Sequence, residues 1–296
     1  MVVEDSATPT FPDTAASLKY EFLSETLTGR QEQIDVSGIS GSRERRAQAL
    51  VDGPEDISGD ITMYLTPVDL DTWLPRILGG AEVADVFDIA ETLPEFGVLL
   101  DRVATNGTGS TFAYKGCKVS RCVIAGSSGN PVTMVVTLIG KTETFHGEAF
   151  PASPALPTGA NSQPYVFHEG SLTYGSAGTY QYNAFELIID NFAEARLENA
   201  LTAEEICATD LGVTLNVNVP WIDTFAPDYD IADITGDLTF TKDAMSTIFQ
   251  FGELVQIKQA PNVAGKQQIR WPLALEARLS ADGLTPAISV TNDSVA

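Results

Sequence analysis

The chain has 296 residues, 44% of them hydrophobic, and sets 40 acidic against 17 basic side chains for a formal charge of −23. It is long enough for one large or two ordinary domains and too apolar for a disordered chain. Such an acid excess argues against attraction to free nucleic acid or to anionic membrane, and no apolar run is long enough to span a bilayer.

The start, Met1-Val2-Val3-Glu4-Asp5, is acidic where a secretory signal is basic, so no export signal is expected. Residues 1–19 are rich in Thr, Pro, Ser and Ala and read as an extended N-terminal arm. Tyr20 to Asp35 reads as a strand region. Residues 36–55 read as a long loop, with Gly38 and Gly41, a basic cluster and Gly53-Pro54. Residues 56–65 alternate strictly: Ile57, Gly59, Ile61, Met63 and Leu65 share one face, and Ser58, Asp60, Thr62 and Tyr64 the other, the period of a half-buried strand. Thr66-Pro67-Val68-Asp69 then supplies a cap, a first-turn proline and an early acid, which predicts a helix over 67–79. Leu70, Trp73, Leu74, Ile77 and Leu78 form its apolar stripe, Pro75 should kink or shorten it, and Gly79-Gly80 ends it. Thr111–Lys115, Cys117–Ala125 and Val132–Thr144 read as strands, the last two joined by a hairpin-type loop at Gly126–Pro131. Residues 151–164, rich in proline and small residues, read as a linker between a first domain at 20–150 and a second at 165–296.

In the second half, Ala184–Asp190 is an apolar strand and Val213–Val219 alternates. Residues 233–241 form another strand. Met245, Ile248 and Phe249 suggest a short helix over 242–251. Gln268–Leu279 alternates with Ile269, Trp271, Leu273, Leu275, Ala277 and Leu279 on one face, Asp282-Gly283 turns it, and Ile288–Thr291 is a last strand. The fold class is therefore mainly β, with two tandem β-sandwich or barrel domains, each carrying one flanking α-helix.

A repeat supports that division. Residues 56–64 read Asp-Ile-Ser-Gly-Asp-Ile-Thr-Met-Tyr and residues 233–241 read Asp-Ile-Thr-Gly-Asp-Leu-Thr-Phe-Thr. Two unrelated strands of similar composition could give the same match. A duplicated domain explains the match together with the amphipathic segment after each copy.

Catalytic patterns are weak. His146 and His168 lie near no nucleophile motif, and Gly38–Ser42 lacks the final glycine of a nucleophile elbow and the Gly-Lys of a phosphate loop. Asp228, Asp230 and Asp233 hint at a weak cation site, but the calcium-loop positions for glycine and glutamate hold Asp233 and Thr239. Cys117, Cys122 and Cys207 lack zinc-site spacing and read as small buried residues of a reducing compartment. No cofactor and no enzymatic activity are expected.

Several phrases in order carry a family likeness: Ser24-Glu25-Thr26, Gly38-Ile39-Ser40-Gly41-Ser42-Arg43, Ile57-Ser58-Gly59-Asp60-Ile61, Leu78-Gly79, Tyr114-Lys115-Gly116, Gly129-Asn130-Pro131-Val132 and Phe185–Asn191. The series resembles the major tail tube protein of long non-contractile-tailed phages over roughly residues 20–215. The resemblance implies a virion protein, assembled in the host cytoplasm, whose domains close side by side into rings with a shared inner β-barrel. Rings stack into a tube around a tape measure protein, meet tail terminator and baseplate or tail-tip proteins at the ends, and later pass genomic DNA without binding it. Two domains per chain imply trimeric rings. No counterpart of the Gly38–Arg43 loop precedes the second copy of the repeat. The competing class is a β-rich binding module such as an adhesin or a carbohydrate-binding protein.

On this reading Ser58, Asp60, Thr62, Asp237 and Thr239 are lumen-facing candidates, since the opposite face of each repeated strand is apolar. An acidic wall would keep DNA centred. Arg43, Arg45 and Arg46 cluster in a glycine-flanked loop of a base-poor chain, and the resemblance implies that this loop orders on stacking against the next ring. Exposed Arg–carboxylate pairs contribute only about 0–1 kcal/mol each, but symmetry repeats them around every ring. Changing all three arginines to Glu is expected to abolish tubes and leave a folded, soluble subunit or single ring. Electron microscopy at matched protein and salt concentration checks this, and normal tubes would remove the loop from stacking.

Overall fold

A computed structural model describes residues 1–4, 17–38, 44, 49–103, 109–145, 156, 160–175, 178–221, 234–257 and 269–294. The chain begins with the short strands β1 (Val2–Glu4), β2 (Ser17–Lys19) and β3 (Ser24–Glu25), then a ribbon of β4 (Thr28–Asp35) and β5 (Leu50–Tyr64). Helix α1 (Pro67–Leu78) follows. Next come β6 (Val86–Asp88), β7 (Phe96–Val103), the long β8 (Gly109–Ser127), β9 (Thr133–Gly140) and β10 (Thr142–Phe145). The second half holds β11 (Gly170–Tyr174), β12 (Thr179–Tyr180), β13 (Ala184–Asp190) and a hairpin of β14 (Ala193–Arg196) and β15 (Glu205–Ala208). It ends with β16 (Gly212–Pro220), β17 (Ile234–Lys242), β18 (Met245–Ile257), β19 (Arg270–Arg278) and β20 (Ile288–Asp293).

One antiparallel sheet dominates, in the order β4–β5–β9–β8–β13–β16–β19–β18. It crosses from the first half of the sequence to the second at β8–β13, where Ala184–Asp190 pairs with Ser127–Arg121. Two long strands leave this sheet part-way. The first half of β8 pairs instead with β7 and β10, and its bend falls near Gly116, whose φ of 61° lies in the left-handed region that glycine tolerates best. The first half of β18 pairs with β17 and β20, and its second half with β19. Gly252 separates the two halves, where a Cβ would come within 2.4 Å of the Pro286 carbonyl oxygen. These departures build a second layer, β12–β11–β17–β18–β20–β6, and a third, β2–β1–β7–β8–β10. One large apolar cluster fills the space between them and includes residues of both halves.

Helix α1 is built as its residues require. The Thr66 hydroxyl accepts from Asp69 N–H at 3.1 Å, Pro67 occupies the first turn, and Gly79 closes the C-terminus with φ 87° and an N–H bond to the Pro75 carbonyl at 2.9 Å. The helix runs through Pro75 for one further turn. Its buried stripe meets the core through Trp73, which lies edge-on to Phe96 at 6.0 Å and 5.9 Å from the Tyr20 ring. The Arg76 guanidinium lies over both Trp73 and Phe96, so its charge faces ring π-clouds where the residue is buried.

The helix expected over 242–251 is a strand. Met245, Thr247, Phe249 and Phe251 are buried in alternation, so the apolar set obeys period two as well as the helical spacing of Met245, Ile248 and Phe249. Pairing with β17 on one side and β20 on the other satisfies backbone groups that a helix would have bonded within itself. Among the described residues the second half carries only 3-10 turns, at Phe167–Glu169 and Ala160–Ser162 near its start, and no α-helix. The loop expected at 36–55 is shorter, because β5 begins at Leu50.

The sequence repeat corresponds to a shared local device. Gly59 and Gly236 each lie against the backbone of a preceding segment, with a Cβ reaching Leu27 Cα between β3 and β4 and coming 2.7 Å from the Thr173 carbonyl oxygen of β11. One residue on, Asp60 N–H donates to the Thr26 hydroxyl at 2.9 Å and Asp237 N–H to the Thr173 hydroxyl at 3.2 Å. On the other flank the connections differ. β17 turns directly into its partner β18, whereas β5 meets β9 only after α1 and three intervening strands.

The last strand is tied to the helix by buried polar groups. Asn292 donates to the Pro67 carbonyl at 2.9 Å and to Asp71, and accepts from Thr247, whose hydroxyl lies 2.9 Å from that of Tyr165. Ser294 also donates to Asp71. Asn292 is 1% exposed, so Asn292-Asp293-Ser294, which matches a glycosylation sequon, is closed to modification in the folded chain. Asn292→Leu strands several of these groups, each at about 1–3 kcal/mol, and a clearly lowered melting temperature is expected in thermal denaturation.

Burial pushes the Asp69 carboxyl from an ordinary 3.8 up to about 6, opposed by its bond with Thr66 and reinforced by Glu21. Between those values the folded chain holds a proton that the unfolded chain has lost, so this group's contribution is present below pH 3.8 and is lost as pH rises to about 6. Asp69→Asn should remove that loss. Melting temperatures compared across pH 4 to 7 should show the variant gaining on wild type as pH rises.

Candidate functional site: the polar face of the main sheet

One face of the main sheet lies on the core, and the other carries polar and aliphatic side chains in register across the strands. Asp60 on β5, Thr137 on β9, Arg121 on β8 and Asp190 on β13 form one row. Within it the Thr137 hydroxyl donates to Asp60 at 2.6 Å, and Arg121 Nε lies 3.9 Å from Asp190 Oδ2. The next row runs Thr62, Val135, Val123, Ile188, Thr214 and Glu276. A third runs Tyr64, Thr133, Ala125, Glu186, Asn216 and Ala274, with Asn216 donating to Glu186 at 3.2 Å. Ser58 opens a shorter row with Ile139 and Lys118.

The charges of this face are nearly balanced and mutually engaged. Asp56, Asp60, Glu186, Asp190, Glu253 and Glu276 stand against Arg30, Lys118, Arg121, Arg270 and Arg278. Arg278 pairs with Glu276 at 3.0 Å, and Lys118 donates to the Ile206 carbonyl at 2.8 Å with Glu95 at 4.0 Å. Lys118, Arg121 and Arg278 thus each have an acceptor within the chain.

Of the residues singled out from sequence, Ser58, Asp60 and Thr62 lie together on this face. Asp237 and Thr239 do not join them. They sit on β17 in the second layer, where Asp237 aligns with Thr173, Gln250, Ser289 and Asp88, and Thr239 with Ser171, Ile248 and Thr291. Burial raises the Asp237 carboxyl above its ordinary value, with the Thr173 bond opposing. The bend of β18 at Gly252 stands between the two polar faces. Arg43, Arg45 and Arg46 fall between β4 and β5, outside the described residues, as do Asp228, Asp230 and Asp233. Sequence reasoning missed Arg121, Thr137, Glu186, Asp190, Asn216 and Glu276. Their signal was present, because each holds an outward position of an alternating or apolar strand, but the strand order that aligns them was not.

No curated protein matches the chain. A family model described as phage tail tube protein matches residues 1–283 of the 296. A mainly antiparallel β fold with one broad polar sheet face agrees with that match, and the chain belongs to the phage tail tube protein family, a structural component of the virion tail.

Proposed function

We propose that three copies of the chain close their main sheets edge to edge into a ring, that rings stack into the tail tube, and that the polar face lines the channel for DNA. The observation that carries this reading is the single eight-stranded sheet with core on one side and a polar face on the other, ending in β4 and β18. Among the described residues, Val255–Ile257 of β18 pairs with β19 alone, and β4 has β5 as its only strand partner. Open edges of this kind are templates for another chain, and a head-to-tail contact closes when its rotation divides a full turn.

The bore favours three copies. About 24 strands spaced ~4.8 Å and tilted ~40° enclose a barrel roughly 48 Å across between backbones. Six copies would double that, far beyond what a duplex needs. The chemistry of the face suits passage better than capture. Duplex DNA carries one charge per ~1.7 Å of axis, and on this face it would meet mostly paired cations beside a slight excess of carboxylates. Before DNA enters, the tape measure protein occupies the channel, and terminator and tail-tip proteins cover the tube ends.

Class averages of purified rings are expected to show threefold symmetry, and sixfold rings of the same subunit mass would rule the arrangement out. Replacing Asp60, Glu186 and Asp190 together with Lys should leave tubes intact and slow DNA ejection, followed by dye fluorescence after receptor triggering. Asp237→Lys, on the second layer, should leave ejection unchanged. If it slows ejection as much as the triple variant, the lining has been assigned to the wrong layer.

A further inference from the structure

The edge of the main sheet along β4 is closed at its start by the chain's own side chains. The Asp60 and Thr62 carbonyls of β5 accept from Thr26 N–H at 2.9 Å and Leu23 N–H at 2.7 Å, so even-numbered residues of β5 turn their backbone groups toward β3 and β4. Thr28 and Arg30, opposite Ser58 and Asp56, therefore face β5, and Leu27, Gly29 and Gln31 face the open side. There the Leu27 carbonyl accepts from the Tyr114 hydroxyl at 2.9 Å and from Arg102, which fills both its lone pairs. Gly29 N–H donates to Glu143 Oε2 at 2.6 Å. These three partners belong to β7, β8 and β10 of the third layer, and two are themselves fixed. Arg102 forks onto Glu25 at 2.8 and 3.0 Å, and Glu143 N–H donates to Glu55 at 3.2 Å. Edge groups already bonded offer a second strand nothing to pair with. Further on, Val36 N–H bonds the Ala49 carbonyl across the ribbon at 2.8 Å, which leaves Gln33 facing the open side.

The other edge of the sheet is short. In β18, Gly252 N–H donates to the Ala287 carbonyl on the side away from β19, and Leu254 and Gln256 repeat that direction. Leu254 is paired with Ile234 of β17, so Gln256 is the first position open to another chain. Both amide atoms of its side chain lack a hydrogen-bond partner within the chain, which leaves this position unfinished in a lone subunit. The row of Gln256 crosses the sheet to Met63 on β5 and Leu23 beside it. Its eight strands are all antiparallel, so β18 and the β4 of a second copy also meet antiparallel.

Closing a barrel displaces that row along the next copy's β4 by an even number of residues, since an odd shift would exchange the two faces. With the polar face inward, the right-handed coil of the strands carries the row toward the higher-numbered residues of β4. For strands ~4.8 Å apart with residues ~3.4 Å apart along them, Gln256 opposite Leu27 corresponds to a tilt of about 20°, and opposite Gly29 to about 28°. Opposite Gln31 or Gln33 the tilt is about 35° or about 42°, the range of closed barrels. We infer that Arg102, Tyr114 and Glu143 act as a register stop for ring closure: they occupy the edge at Leu27 and Gly29 and hold the neighbouring copy's β18 to the register in which Gln256 faces Gln33. Opposite Gln31 the joint would be one pair long, with the occupied Leu254 on one side and the capped Gly29 on the other. Opposite Gln33 it leaves Gln31 open to the chain beyond Ile257, and it sets two glutamine side chains across from each other. The inference rests on the ring reading above and adds what fixes the register of its joint.

The test is disulfide cross-linking of the full-length chain in a Cys207→Ser background, Cys117 and Cys122 being buried. In the inferred register Val255 lies opposite Ile34, and in the register that Glu143 blocks it lies opposite Arg30. Val255→Cys/Ile34→Cys should link on oxidation into covalent trimers on a denaturing gel, and Val255→Cys/Arg30→Cys should give at least several-fold less. Adding Glu143→Ala uncaps Gly29 and should raise the yield of the second pair, with circular dichroism and melting temperature verifying the fold. Equal linking of the two pairs in the capped chain would overturn the inference. So would rings seen by microscopy in which the first pair does not link, or a folded Glu143→Ala variant in which the second pair gains nothing. If Glu143→Ala does not fold, the comparison of the two pairs in the capped chain decides alone. Absence of rings in the unmodified chain would instead count against the ring reading.

Discussion

Backbone pairing between β8 and β13 is the constraint on which the rest depends. Every residue of β13 pairs with β8 on one side and β16 on the other. Without that seam the polar rows would stop at Arg121 and the second half would carry a separate, narrower sheet. The seam is fixed at its end by Asn191, which is 4% exposed. Its amide donates to the Ile77 carbonyl at 3.0 Å and the Val119 carbonyl at 3.1 Å, and its N–H bonds the Ser120 carbonyl at 2.8 Å. One side chain thus joins the end of helix α1, the irregular point in β8 and the end of β13. Burying those carbonyls unpaired would be costly, so the seam sets both strand register and helix position.

The large negative charge is not concentrated on the polar face. On that face the carboxylates stand beside nearly as many cations, of which Lys118, Arg121 and Arg278 have acceptors within the chain. Acids gather elsewhere, as in the ribbon with Glu32, Asp35, Asp52, Glu55 and Asp56, and the β14–β15 hairpin with Glu194, Glu198, Glu204 and Glu205. A wall studded with isolated acids would draw counterions and water, whereas paired charges and aliphatic side chains such as Val123, Val135 and Ile188 give a surface with little affinity for phosphate. Solubility of the subunit before assembly is the role left for the remaining acid excess.

Open strand edges are liabilities in a monomer. In a chain that assembles, they supply the contacts. In the proposed ring, β4 and β18 would offer main-chain hydrogen bonds to neighbouring copies. The large apolar cluster is formed by side chains of the chain itself, so the core does not depend on such contacts.

The sequence by itself determined the faces of the strands. Alternation at Ile57–Leu65 and Gln268–Leu279 named the buried side chains except Ile269, which is half-buried, and Leu279, which lies past the end of β19 and is 58% exposed, and Thr66, Pro67 and Gly79 fixed the ends of the helix. These are local properties, set by a period of two or by a cap within four residues. The ordered phrases from Ser24 to Asn191 also pointed to the right family. Only the tertiary structure decided which strands are neighbours. It turned Met245–Ile257 from an expected helix into a strand, because its apolar residues fit both periods and partners on both sides favoured the extended form. It also placed Asp60 and Asp237, alike in sequence and in their bond to a threonine hydroxyl, on different layers. A side-chain period tells a strand which face to bury, but its partner is chosen by contacts far along the chain, and no local pattern encodes that choice.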